Sequence, residues 1–200
     1  MSEAPPRGNF IAGQNRGKPQ GSRQPDFTGR MSIPGRDNEH GVALWVRKDK
    51  RQHPYFSGRM DPMPLTDNVA AQIDHLAEPN GAGEILEAGP NLTLEPHQLI
   101  LFHNRFKEPD AADSVDEAAK RARRPDFWGR LNPGDGTPVV AVSVWLGQDR
   151  WQHPLLTGAT SYPQPGRDNE AATGIERPAD GGQGARAGRR RSRSDEGQEL

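Results

Sequence analysis

The chain is 200 residues long with 23 Gly, 19 Pro and only 32% hydrophobic residues, so any core is small and part of the chain cannot offset its ordering entropy. It has no cysteine, which excludes disulfides, thiolate zinc sites and a cysteine nucleophile. No apolar run reaches the roughly 20 residues that cross a bilayer, and Met1 to Gly21 lacks the apolar middle of a signal peptide, so a soluble, cytoplasmic protein is expected.

The net charge of −1 is unevenly distributed. Residues 1–24 and 25–60 each carry +3, whereas 61–124 carry −6, 125–160 carry −1, 161–182 carry −2 and 183–200 carry +2. A basic patch is the footprint of a polyanion site, which places one on the first third of the chain and the C-terminal tail.

Taken in order, residues 1–23 are polar and rich in Gly and Pro and read as a disordered tail. From Pro25 the chain enters a repeat. Residues 25–60 and 125–160 align without a gap, with twelve identities: Pro25, Asp26, Phe27, Gly29, Arg30, Val42, Trp45, Asp49, Gln52, His53, Pro54 and Gly58. Roughly two or three matches are expected by chance, so an internal duplication is the better reading.

Within each copy, alternation predicts strands. Phe27, Gly29, Met31 and Ile33 share one face; Val42, Leu44 and Val46 oppose Ala43, Trp45 and Arg47; a third strand runs from Tyr55 to Met60. The second copy repeats this with Val140, Val142, Val144 and Leu146 against Ala141, Ser143 and Trp145, then Leu155 to Thr160. The expected fold class is mainly β: two homologous small antiparallel modules, each a three-stranded meander or partial barrel. The expected boundaries are 24–62 and 84–163.

Between them, residues 63–83 form a helical connector, with Thr66 as cap and Val69, Ile73 and Leu76 at helical spacing. A hairpin is expected at 84–94 around Gly89-Pro90, then a strand at Leu99–His103. Ser114-Val115-Asp116-Glu117 is a capping box that opens a polar linker helix to about Arg123. Residues 164–200 read as a second disordered tail, basic then acidic.

Leu101, Asn104 and Lys107, a spacer, then Pro125-Asp126-Phe127-x-Gly129, Trp145 and Thr157 form a pattern. The first copy matches at Asn15, Lys18, Pro25, Asp26, Phe27, Gly29, Trp45 and Ser57. It resembles that of small uncharacterised β-domains of bacterial, plasmid and phage proteins. The resemblance covers about half the chain; it implies a mobile-element setting and no particular activity.

The retained residues contain no nucleophile–base pair and no converging ligand set, so neither catalysis nor a cofactor is expected. Asp26, Asp126, Asp49 and Asp149 read as structural carboxylates of turns. His53 and His153 stand alone in Gln-His-Pro. The hexapeptide Pro34–Glu39, identical to Pro165–Glu170, reads as a polar turn or a short recognition peptide.

Arg30, Trp45 and Arg47 share one strand face in the first copy, and Trp128, Arg130 and Trp145 share it in the second. Two arrangements satisfy this pattern. One is a platform on which bases of single-stranded DNA or RNA stack while Arg meets phosphate; the other is a small second core covered by the intervening segment. Lys48 and Arg59 add charge in the first copy, where the second has Gln148 and Ala159, and Arg189, Arg190 and Arg191 form a basic arm. The functional expectation is therefore single-stranded nucleic-acid binding, chiefly by the first copy, with docking of a partner protein as the alternative.

Overall fold

The computed structural model describes residues 5–65, 76–79 and 93–163. Among the described residues there are eight strands: β1 (Arg7–Gln14), β2 (Phe27–Ser32), β3 (Glu39–Lys48), β4 (Pro54–Pro64), β5 (Gln98–His103), β6 (Phe127–Leu131), β7 (Val140–Gln148) and β8 (Pro154–Ser161). Each pairs antiparallel with the next, and β1 also pairs with β8, so the sheet closes into a barrel. The mainly antiparallel β class holds. The two expected modules are halves of one closed barrel; the fourth strand of the second half is the one expected at Leu99–His103, whereas the first half has a fourth strand that was not expected.

The fourth strand of the first half is β1, which lies inside the segment expected to be a disordered tail. Phe10 and Ala12 point inward while Arg7, Asn9 and Ile11 point out, and the strand pairs with both β2 and β8. With two paired edges, even a Gly-containing strand has its backbone groups satisfied. Its partner in the second half is β5, which pairs with β4 and β6.

The interior is one cluster drawn from all eight strands, including Phe10, Phe27, Leu44, Phe56, Leu101, Phe127, Val142 and Leu156. Eight strands enclose a space that side chains just fill. Phe56 meets Phe27 edge-on at 5.5 Å and Phe127 at 4.8 Å between ring centroids, so aromatic contact crosses from one half to the other. The glycine of the Pro-Asp-Phe-x-Gly motif follows from closeness: a Cβ on Gly29 or Gly129 would run into the carbonyl oxygen of Ile11 or Ile100 on the adjacent strand.

Helix α1 (Val115–Ala122) forms where expected, with Ser114 and Glu117 bonded reciprocally as a capping box. The expected hairpin at 84–94 and the helix from Thr66 fall largely outside the described residues, as does the tail at 164–200.

Antiparallel closure sorts the loops into two ends. The β1–β2, β3–β4, β5–β6 and β7–β8 loops lie at one end, here the lower, and the remaining connections at the upper. Residues 14–26, 46–54, 103–126 and 146–154, at the lower end, contain fourteen Lys and Arg against nine Asp and Glu. Residues 5–9, 31–40, 60–65, 93–99, 131–140 and 160–163, at the upper end, contain two against five. The barrel is therefore electrically polar along its axis.

Candidate functional site

Most retained polar residues are stitches at the lower end. Asn15 Nδ2 donates to the Pro25 carbonyl and Asn104 Nδ2 to that of Pro125. Lys18 pairs with Asp26 and Lys107 with Asp126, each at 2.7 Å, while the second carboxylate oxygens accept the backbone N–H of Val46 and Leu146. The carboxylates of the Pro-Asp-Phe motif thus tie each long lower loop to the neighbouring strand, a structural use. Between Asn15, Arg16, Lys18, Asp26, Phe27 and Val46 lies an open recess of ≈ 480 Å³.

The Asp-x-x-Gln-His-Pro turns are equally determined. Asp49 Oδ1 accepts the N–H groups of Arg51 and His53, Asp149 Oδ1 those of Trp151 and His153, and Gln52 and Gln152 adopt φ of 66° and 65°. This is the three-residue hairpin loop whose last residue is left-handed. Burial by itself would raise the Asp49 carboxyl. The His53 backbone N–H, the His53 ring and the Arg51 N–H outweigh it, and the carboxyl lies below its ordinary 3.8. Asp149 is lowered the same way, with burial opposed by the N–H groups of His153 and Trp151 and then the His153 ring. The rings of His53 and His153 face these carboxylates at 3.2 Å and also reach Arg105 and Arg16 of the opposite half.

The expected Trp/Arg face divides into two unlike surfaces. Across β3, β4, β5 and β6 the outward row is Trp45, Ser57, Ile100 and Arg130; across β7, β8, β1 and β2 it is Trp145, Thr157, Ile11 and Arg30. The first row is covered. Trp45 is 2% exposed beneath Leu76, and its Nε1 donates to the Arg23 carbonyl; Tyr55 and Ile100 are buried with Leu94, and Phe102 stacks on Tyr55. Arg47 is paired with Glu78 of the covering segment. Trp128 is buried at 5.6 Å from Phe102.

A stacking platform on the first copy is therefore corrected. Its Trp belongs to a covered outer core, the second of the two arrangements the pattern allowed. Arg59 pairs with Glu95 at 3.1 Å, Arg130 is half-buried, and Arg30 lies on the open row, paired with Glu39 at 3.3 Å. Lys48 is exposed at the lower end. Arg189, Arg190 and Arg191 lie outside the described residues.

Trp145 is 37% exposed on the open row, with Nε1 donating to the Arg123 carbonyl of the lower loop. Three residues beyond the end of β7, Trp151 is 61% exposed and lies under the Arg150 guanidinium at 3.8 Å. Sequence reasoning weighted residues common to both copies and so passed over this pair, since position 51 is Arg. The adjacency of Arg150 and Trp151 in a hairpin turn was the available signal, because a turn residue outside the strand alternation has no core to enter. The accessible indoles thus belong to the second half: Trp151 lies under Arg150, and Trp145 is bonded to the backbone of the lower loop at Arg123. No family model, curated protein or solved structure matches the chain.

Proposed function

We propose that this protein is a non-enzymatic binder of single-stranded nucleic acid, with the strand lying across the lower, basic end of the barrel. The observation that carries the reading is the coincidence of exposed indole and surplus cation there. Trp151 with Arg150 above it, and Trp145 bonded to the loop of Arg123 and Arg124, occur at the end where Lys and Arg outnumber Asp and Glu.

The chemistry is general. Every base offers a π-face, so an indole accepts any of them, and stacking contributes about 1–3 kcal/mol per base. Guanidinium groups neutralise phosphate and release counterions, which makes such binding weaken steeply with salt. Lys48, Lys50 and Arg51 in the β3–β4 turn extend the positive surface to the first half, and the Arg189–Arg191 arm supplies further phosphate contacts. Resemblance to small domains of mobile elements fits a role in handling exposed strands.

Anisotropy of labelled single-stranded oligonucleotides, titrated at low and moderate salt, tests the proposal. Trp151→Ala and Arg150→Ala are each expected to weaken binding about tenfold, and moderate salt to weaken it further. Absence of binding at low salt, or indifference to both substitutions, overturns it.

A further inference from the structure

The two outer faces present one scaffold in two states, since Trp45, Ser57 and Ile100 are buried while Trp145, Thr157 and Ile11 are open. The cover of the first face comes from the segment that follows β4. In the second half the segment standing in the same relation is the C-terminal one that follows β8. We infer that the chain's own residues 165–178 dock on the open outer face of β7, β8, β1 and β2, as an intramolecular counterpart of the cover on the opposite face.

Three observations carry this. The first is reach: 39 residues follow Ser161, against 33 between Pro64 and Gln98, and both segments leave the barrel at its upper end from equivalent strands.

The second is sequence. Asp67-Asn68-Val69-Ala70-Ala71 returns as Asp168-Asn169-Glu170-Ala171-Ala172 with four identities, and after a gap of two residues Leu76 and Pro79 align with Ile175 and Pro178, with Glu78 against Arg177. The likeness between the halves thus continues past the last strand into the residues equivalent to the cover. Leu76 packs on Ala43 and Trp45, and Pro79 is buried; Ile175 would take the place of Leu76 over Ser143 and Trp145, so the docked segment and a base stacked on Trp145 exclude one another, and Trp151 is the indole left open in both states.

The third is a paired change. On the covered face Arg47 meets Glu78; at the equivalent positions stand Gly147 and Arg177. Reversing the charge of the cover next to a retained arginine would set two cations together, and that arginine is absent. Glu170 in place of Val69 makes the second segment the less apolar of the two, so its docking is expected to be the weaker.

The absence of native cysteine makes cross-linking decisive. In the full-length Ser143→Cys/Ile175→Cys protein, mild oxidation is expected to give an intramolecular disulfide several-fold faster than in a Ser143→Cys/Gln198→Cys control, in which the tail meets the face only by random encounter. Equal rates overturn the inference, as does a product that is chiefly a covalent dimer, which would assign the face to a second copy of the chain. Truncation after Pro163, in a Trp151→Phe background, is expected to raise acrylamide quenching of indole fluorescence through Trp145; unchanged quenching likewise overturns it.

Discussion

Arg16 Nη1 lies 2.7 Å from Nε2 of His153, while Arg105 Nη2, its counterpart, lies 3.2 Å from Nδ1 of His53. Each arginine follows the Asn at the lower end of β1 or β5, and each histidine closes the hairpin of the other half. The two contacts therefore bridge the two seams, β1–β8 and β4–β5, at which the halves join. A guanidinium only donates, so Nε2 of His153 accepts from Arg16 while its Nδ1–H serves Asp149; at His53 one nitrogen, Nδ1, faces both Arg105 and Asp49, and its tautomer decides which of the two it bonds.

Removing these bridges should loosen the seams without disturbing the core. Arg16→Ala and Arg105→Ala are each expected to cost about 0.5 kcal/mol, the range of exposed polar pairs. Denaturant midpoints at neutral pH check this. The double variant should be additive, because the two bridges share no residue.

The two equivalent tryptophans should behave very differently. Trp45→Ala empties a covered site and is expected to cost about 3–5 kcal/mol. Trp145→Ala, made in a chain truncated after Pro163 so that no segment covers the face, removes a side chain 37% exposed and should cost about 1 kcal/mol or less. Thermal or chemical denaturation of the two single variants measures the contrast, and equal losses would contradict the covered and open faces.

Gly129→Ala should destabilise the protein by about 1–3 kcal/mol, as overpacking does, because the added carbon meets the Ile100 carbonyl. Gly13→Ala is the matched control: a Cβ there meets nothing within 4 Å. Comparison of their unfolding midpoints separates backbone crowding from a general intolerance of strand substitutions.

The lowered carboxyls of Asp49 and Asp149 set a sign for acid stability. A carboxyl held below its unfolded value of 3.8 contributes stability above that value, and the contribution is lost as pH falls through the folded value. Melting temperature should therefore fall below about pH 4. Asp49→Asn/Asp149→Asn should show a shallower fall, with the difference confined to that acid range.

The strands around Val42–Val46 and Val140–Leu146 were legible because Val42 and Leu44, and Val140, Val142 and Val144, alternate inward, although Val46 and Leu146, which the alternation put on the same face, are exposed at the lower end. The capping box of α1 was legible for a similar local reason. β1 was not: Gly8, Asn9, Gly13 and Gln14 leave only Phe10 and Ala12 as core residues, and what orders the strand is pairing with β8, more than a hundred residues away. Closure into one barrel was hidden for the same reason, since nothing local encodes the β1–β8 or β4–β5 pairing. The Trp45 pattern showed an outward aromatic correctly but not what lay above it. Trp151 carried no periodic signal at all.

The joining of β1 to β8 has a consequence for how either half would fare alone. A detached four-strand unit would expose the hydrogen-bonding rims of β1 and β4, or of β5 and β8, along with half of an aromatic interior. Such raw edges invite pairing with any available strand. The partner best shaped to seal both at once is another unit of the same design, so a severed half is expected to be found as a self-associated pair and not as a lone monomer.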